Sequence, residues 1–191
     1  MKEPVILILA AGSSSRMGQS KQLLKINEQS MLRNASVVAL ESGMQTIVVL
    51  GANEGENRKT IEDLTLKIIV NPDWENGMGN SLKKGISSLP KNTDAAIVMV
   101  CDQPLLNSAH LKRIREKYQS SDKRIIASYY SGTFGVPTLF DSSLFEEIKN
   151  LTDDQGAKKI IQLHQNETLN IEFQEGAIDL DTPDDFRNFV S

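Results

Sequence analysis

Four short, predominantly apolar runs, at residues 5–10, 46–50, 67–70 and 95–101, constrain the fold more than any other feature of this chain. Each is mainly aliphatic, with Thr46 and Lys67 opening the second and third, and without polar alternation along it, which is the pattern of a strand buried on both faces; such strands belong to parallel sheets covered by helices. Between the first two runs, Met31, Ala35, Val38 and Ala39 share one helical face, with Ser30 placed to cap its start and Gly43 its end. That makes a βαβ unit. Further helices are predicted at residues 54–63, 80–88 and 108–118, so the first half reads as doubly wound α/β.

Beyond Arg124 the spacing predicts strands at residues 125–130, 136–140 and 169–173 and helices at 142–150, 157–164 and 184–190, with Pro183 in the first turn of the last. The expected architecture is a three-layer, Rossmann-like α/β fold whose mostly parallel central sheet takes antiparallel additions in the second half. No internal repeat, low-complexity tract or shift of composition marks a linker, so residues 1–191 are expected to form one domain.

Composition narrows the function classes. A net charge of -4 argues against nucleic-acid partners, which need clustered Lys and Arg. Cys101 is the single cysteine, so neither an intramolecular disulfide nor a Cys-rich zinc site can form from this sequence, and a reducing cytoplasmic setting is expected. The apolar run at residues 5–11 is too short, and its basic flank too interrupted by Glu3, for a signal peptide; no other stretch approaches the roughly 20 apolar residues of a membrane span. No membrane partner is expected.

The first run leads straight into Ala10-Ala11-Gly12-Ser13-Ser14-Ser15-Arg16-Met17-Gly18-Gln19-Ser20-Lys21, which gathers small residues, hydroxyls and two cations at the carboxyl end of a strand. Glycine lets successive backbone N–H groups face one cluster of oxygens, and Arg16 and Lys21 can neutralise a polyphosphate. The residues alone leave two readings open, an anion cradle and a flexible connection. Five residues separate Gly12 from Gly18 and no Lys-Ser or Lys-Thr follows, so this is not a Walker loop. Gly77-Met78-Gly79 does not complete a dinucleotide fingerprint, because Leu82 stands where the third glycine would be.

The segment Leu9-Ala10-Ala11-Gly12-Ser13-Ser14-Ser15-Arg16-Met17-Gly18 with Lys21 resembles the signature of the MobA-like nucleotidyltransferase family. The likeness continues in order through residues 71–81, Cys101-Asp102-Gln103-Pro104, Gly135-Val136-Pro137, Asp154-Gln155-Gly156-Ala157-Lys158 and Asp179-Leu180-Asp181-Thr182-Pro183. Within that family it is nearest to the molybdenum cofactor cytidylyltransferases (MocA type). The resemblance implies a Mg²⁺-dependent enzyme that joins CTP, or another NTP, to a molybdopterin-type acceptor with release of pyrophosphate, and a molybdenum apoenzyme as a further partner. Two other readings stand beside it: transfer to a different phosphorylated acceptor such as a sugar phosphate, and a non-catalytic cofactor-binding chaperone.

Asp102 follows the fourth apolar run and should therefore emerge at the strand ends, where open α/β sheets bind ligands; its hard oxygens suit Mg²⁺. By resemblance Asp181 is the second metal ligand, with Asp179 as the alternative and helix capping by Asp181 or Thr182 as the competing structural role. Arg16, Lys21 and Asp102 are the expected catalytic residues. The backbone and side chains of Leu9, Ala10, Ala11, Gly12, Ser13 and Ser14, with Arg16 and Lys21, are expected to hold nucleotide. Gly77, Asn80 and Ser81 join them, although Asn80 and Ser81 also suit the capping of the helix that follows. By resemblance, Ala11 in place of glycine favours cytidine over guanosine. Gly135, Pro137, Gln155, Gly156 and Lys158 are expected to border the acceptor, with Lys158 standing where an arginine is expected. Trp74, His110 and His164 are expected to serve packing or surface roles.

Overall fold

The computed structural model of the protein describes residues 3–153 and 156–190. Its strands are β1 (Pro4–Ala10), β2 (Lys25–Ile26), β3 (Gln29–Ser30), β4 (Thr46–Leu50), β5 (Lys67–Val70), β6 (Ala95–Val100), β7 (Ile125–Tyr130), β8 (Thr133–Asp141) and β9 (Thr168–Glu172). Its α-helices are α1 (Met31–Glu41), α2 (Glu54–Lys59), α3 (Met78–Ser87), α4 (Ser108–Gln119), α5 (Phe145–Lys149), α6 (Ala157–Leu163) and α7 (Pro183–Val190). Seven strands form one sheet in the order β5-β4-β1-β6-β8-β7-β9. β1 pairs in parallel with both β4 and β6, and β9 in parallel with β7, while β8 runs antiparallel to β6 and β7 and is the reversed strand of the sheet.

Alternate residues of the fully buried β1 feed two cores. Ile6 and Ile8 pack with Leu32, Ala39, Leu111 and Ile114 of α1 and α4, whereas Leu7 and Leu9 pack with Leu82, Ile86, Ile148 and Ile160 of α3, α5 and α6. This is the three-layer arrangement expected from strands with no polar face. The order of β1, β4 and β6 reverses the direction of winding beside β1, so the carboxyl ends of β1 and β6 open a crevice together.

Local chemistry sets the element ends. Ser30 caps α1 by accepting from the Arg33 N–H at 3.2 Å, and Gly43 follows the helix at φ 78°. The β2–β3 hairpin, which hydropathy does not signal, turns on Asn27 and Glu28 at φ 50° and 67°. After β4, Gly51 permits a close crossing: a Cβ there would lie 2.6 Å from the Trp74 Cβ and 2.7 Å from the Ala11 carbonyl oxygen. The Ala52 N–H donates to that same oxygen at 2.9 Å, which ties the end of β4 to the loop leaving β1.

Candidate functional site

Residues 11–24 wrap over the ends of β1 and β6 as two short 3-10 turns, Ser15–Met17 and Lys21–Leu23. Ser14 and Gly18 adopt left-handed φ values of 57° and 70°, so the chain reverses on either side of the first turn. The Lys21 N–H donates to Ser14 Oγ at 3.1 Å and closes the loop. Lys21 Nζ then donates to Asp102 and, at 2.9 Å, to Asp181 Oδ1, while Arg16 reaches Asp181 Oδ2 at 2.8 Å. Four of the expected residues, from three distant parts of the chain, thus form one charge cluster.

Burial alone would push the Lys21 ammonium down, but Asp102, followed by Asp181, outweighs it and holds the group above the ordinary lysine range. The Lys21 hydrogen bond likewise keeps the Asp181 carboxyl below the usual carboxylate range. Asp179 is exposed; partial burial, then the charges of Asp181 and Asp102, push its carboxyl up, and Asp181 is the one of the pair in contact with Lys21. The competing capping role falls to Thr182. Its Oγ accepts from the Asp185 N–H at 3.2 Å, and Asp185 Oδ2 in turn accepts from the Thr182 N–H at 2.8 Å, which leaves Asp181 to the cluster. The Leu180 N–H donates to the Asp102 carbonyl at 3.0 Å, so the two carboxylate-bearing segments are directly joined.

Two adjoining clefts flank the loop. The first, of about 280 Å³, is lined by Gly12, Ser13, Arg16, Lys21, Asp102 and Asp181 among others. The second, of about 310 Å³, lies between Ala11 and the segment that runs from Trp74 through Gly77 to Ser81 of α3; Leu9, Gly12, Ser13 and Met78 border both. Trp74 packs against the core and lines this second cleft at once. α3 begins at Met78, with Gly77 as its N-cap and no capping side chain, so Asn80 and Ser81 lie inside the helix and do not cap it. Asn80 instead donates to Asp153 Oδ1 at 3.4 Å, and Ser81 is buried against Asn71.

The expected acceptor residues are more dispersed. Pro137 is buried in β8, its carbonyl accepting from the Ser128 hydroxyl at 2.7 Å. Gly135 lies against Tyr130, whose hydroxyl would collide with a Cβ at that position. Neither lines the two clefts. Gly156 approaches them through Met78, whose sulfur is 3.6 Å from where a Gly156 Cβ would stand. Lys158 is exposed and lines a separate cleft with Tyr129 and Phe134. Gln155 lies outside the described residues.

The two histidines are occupied elsewhere. His110 stacks on Phe173 with centroids 4.3 Å apart and shares a 2.8 Å hydrogen bond with Ser128 Oγ; burial lowers its pKa to about 4. His164 lies between Glu147 and Glu167. Burial pushes the Cys101 thiol up to about 12. Among the described residues no group of three or more His, Cys, Asp or Glu is gathered to hold a metal ion, and no helix is long and apolar enough to cross a membrane. A residue the sequence did not single out is Gln22, 2% exposed and at the centre of the loop.

The family described as MobA-like NTP transferase domain matches residues 6–169. Among curated proteins, the chain is 26% identical to the purine catabolism protein PucB of Bacillus subtilis (strain 168), over 97% of this chain and 96% of that one. It is also 26% identical to the molybdenum cofactor cytidylyltransferase of Escherichia coli (strain K12), over 94% and 92%. Among solved structures, that of Rv0371c from Mycobacterium tuberculosis H37Rv in complex with manganese superposes with a TM-score of 0.83 at 25% identity, covering 98% of each chain.

Proposed function

The chain belongs to the MobA-like NTP transferase family, and from that premise we propose that it transfers a cytidylyl group from CTP to the terminal phosphate of molybdopterin. The observation that carries this reading is the Lys21 ammonium held between Asp102 and Asp181 beneath the glycine- and serine-rich loop, at the strand ends where α/β sheets bind ligands. In the reaction an oxygen of the acceptor phosphate bonds to the α-phosphorus of CTP. The bond from that phosphorus to the bridging oxygen breaks, and its electron pair leaves with pyrophosphate. A phosphate nucleophile is already ionised near neutral pH, so no general base is needed, in keeping with the burial of His110 in the core.

Lys21 and Arg16 would offset the charge that grows on the leaving pyrophosphate, and the loop N–H groups would orient it. Asp102 and Asp181 are the residues that would hold Mg²⁺. Their hard oxygens, already gathered on one cation, match the one or two protein carboxylates such an ion commonly takes. When bound, that ion supplies charge neutralisation at the phosphate oxygens.

Asn71 bears on how a base would be held. The Asp73 N–H can only donate, and it donates to Asn71 Oδ1 at 3.2 Å, so the amide nitrogen must face Ser81 Oγ, 3.0 Å away. Ser81 therefore accepts from Asn71 and has its own proton to donate into the second cleft, toward an acceptor edge such as O2 or N3 of cytosine. Ser81→Ala is expected to raise the KM for CTP about 10-fold with kcat little changed, as measured by initial rates of pyrophosphate release. An unchanged KM removes Ser81 from base recognition.

One observation favours a different phosphorylated acceptor: Lys158, the cation expected at the acceptor, lines a cleft that shares no residue with the Asp102 cleft. The two readings separate when the protein is incubated with Mg²⁺, each of the four NTPs, and either molybdopterin or a panel of sugar phosphates. Pyrophosphate release with CTP and molybdopterin is expected. Release only with another acceptor replaces the molybdopterin reading, and no turnover with any pair leaves a binding protein.

A further inference from the structure

We propose that Gln22 is a positioning residue that aims the loop's backbone at the polyphosphate, an inference that rests on the nucleotide-binding reading above. The Gln22 side chain is fully committed. Its Nε2 donates to the carbonyls of Gly12 at 2.8 Å and Ala10 at 3.3 Å, and its Oε1 accepts from the hydroxyls of Ser20 at 2.7 Å and Ser14 at 3.2 Å. The orientation of the amide is fixed by its partners, since carbonyl oxygens can only accept.

This commitment dictates where the loop's donors face. In a trans peptide the N–H of one residue points opposite to the carbonyl of the residue before it. With the Gly12 carbonyl turned onto Gln22, the Ser13 N–H is turned away from Gln22, and it has no hydrogen-bond partner among the described residues. Ser13 borders both clefts, so that donor is available to an anion there. The same amide also reaches Lys21. Ser14 Oγ, whose proton goes to Gln22, accepts the Lys21 N–H, so one buried side chain sets both the direction of the Ser13 N–H and the root of the ammonium held between Asp102 and Asp181.

Two variants separate this role from a contribution to folding alone. Gln22→Glu keeps acceptance from Ser14 and Ser20 but cannot donate to the two carbonyls; Gln22→Met keeps the volume and removes every hydrogen bond. Titration calorimetry with CTP and with CMP, each with Mg²⁺, is expected to show the Kd for CTP raised on the order of 10- to 100-fold in both variants. The Kd for CMP should move less than about threefold, because the loop serves the phosphates that CMP lacks. Equal losses for both ligands, or a CTP affinity within threefold of wild type, overturns the proposal, even where melting temperature falls. If Gln22→Met does not fold, Gln22→Glu and Ser20→Ala carry the same comparison, with a smaller CTP-selective loss expected for Ser20→Ala. A wild-type protein that binds no NTP instead overturns the nucleotidyl-transfer reading, and this inference with it.

Discussion

Asp102→Asn is expected to lower turnover at least about 10³-fold while shifting the melting temperature by no more than a few degrees. The substitution preserves shape and removes one negative charge. Nothing in the core depends on that charge: the side chain lies at the cleft, and the bond that joins its segment to the Asp181 segment uses the Asp102 backbone carbonyl. Lys21 keeps its 2.9 Å contact with Asp181, so the ammonium is not left without a partner. What is lost is a hard anionic oxygen at the strand end, where the proposed reaction must hold a cation against a triphosphate. Steady-state pyrophosphate release and a thermal melt on the same preparation test both halves. Near-normal turnover removes Asp102 from the proposed metal site; a collapsed melt shows that its role is structural.

How much of this was legible in the sequence follows from what each residue touches. β1, β4 and β6 were readable because a strand covered on both faces leaves a purely local signature, seen in Val5 to Ala10, whereas β5 is a strand but not a covered one: it lies at the sheet edge with Lys67 and Val70 exposed. The loop was readable as chemistry, since small residues and cations at a strand end have few other uses. Asp181 was different: its neighbour Thr182 suits capping equally well, and only the fold shows Thr182 pairing with Asp185 while Asp181 turns to Lys21. Gln22 was invisible, because a glutamine between Lys21 and Leu23 looks like solvated surface, and its burial arises only when residues 10–14 fold back over it. The sequence pattern starts α3 two residues late, at Asn80, because Gly77 caps it without a side chain. The acceptor residues stayed hardest to place. Their motifs fall on β8, on α6 and on the segment between α5 and α6, and no local pattern says which of them face one cleft.

Lys21→Met carries the second large effect, and its two readouts are linked. The ammonium now neutralises two carboxylates and stands beside the cleft where a leaving pyrophosphate would gather charge, so its removal is expected to lower kcat/KM about 10²- to 10³-fold. The same change acts on stability with a defined pH window. Asp181 is held below the usual carboxylate range chiefly by its hydrogen bond to Lys21, so the stabilisation it contributes is present above the ordinary carboxylate pKa and is lost as pH falls through the lowered one. Lys21 is held above the ordinary lysine range, so its share is present below that range and lost at higher pH. The variant should therefore melt below wild type from about pH 5 to about pH 10, with the gap closing in acid as Asp181 protonates. Lys21→Arg should close most of that gap, since it restores the charge, yet recover little turnover, because a planar fork cannot replace a point donor shared by two carboxylates. Recovery of both by arginine reduces the role of Lys21 to charge alone. A pH-independent gap in melting temperature uncouples Lys21 from the two carboxylates and removes the cluster on which the proposed site is built.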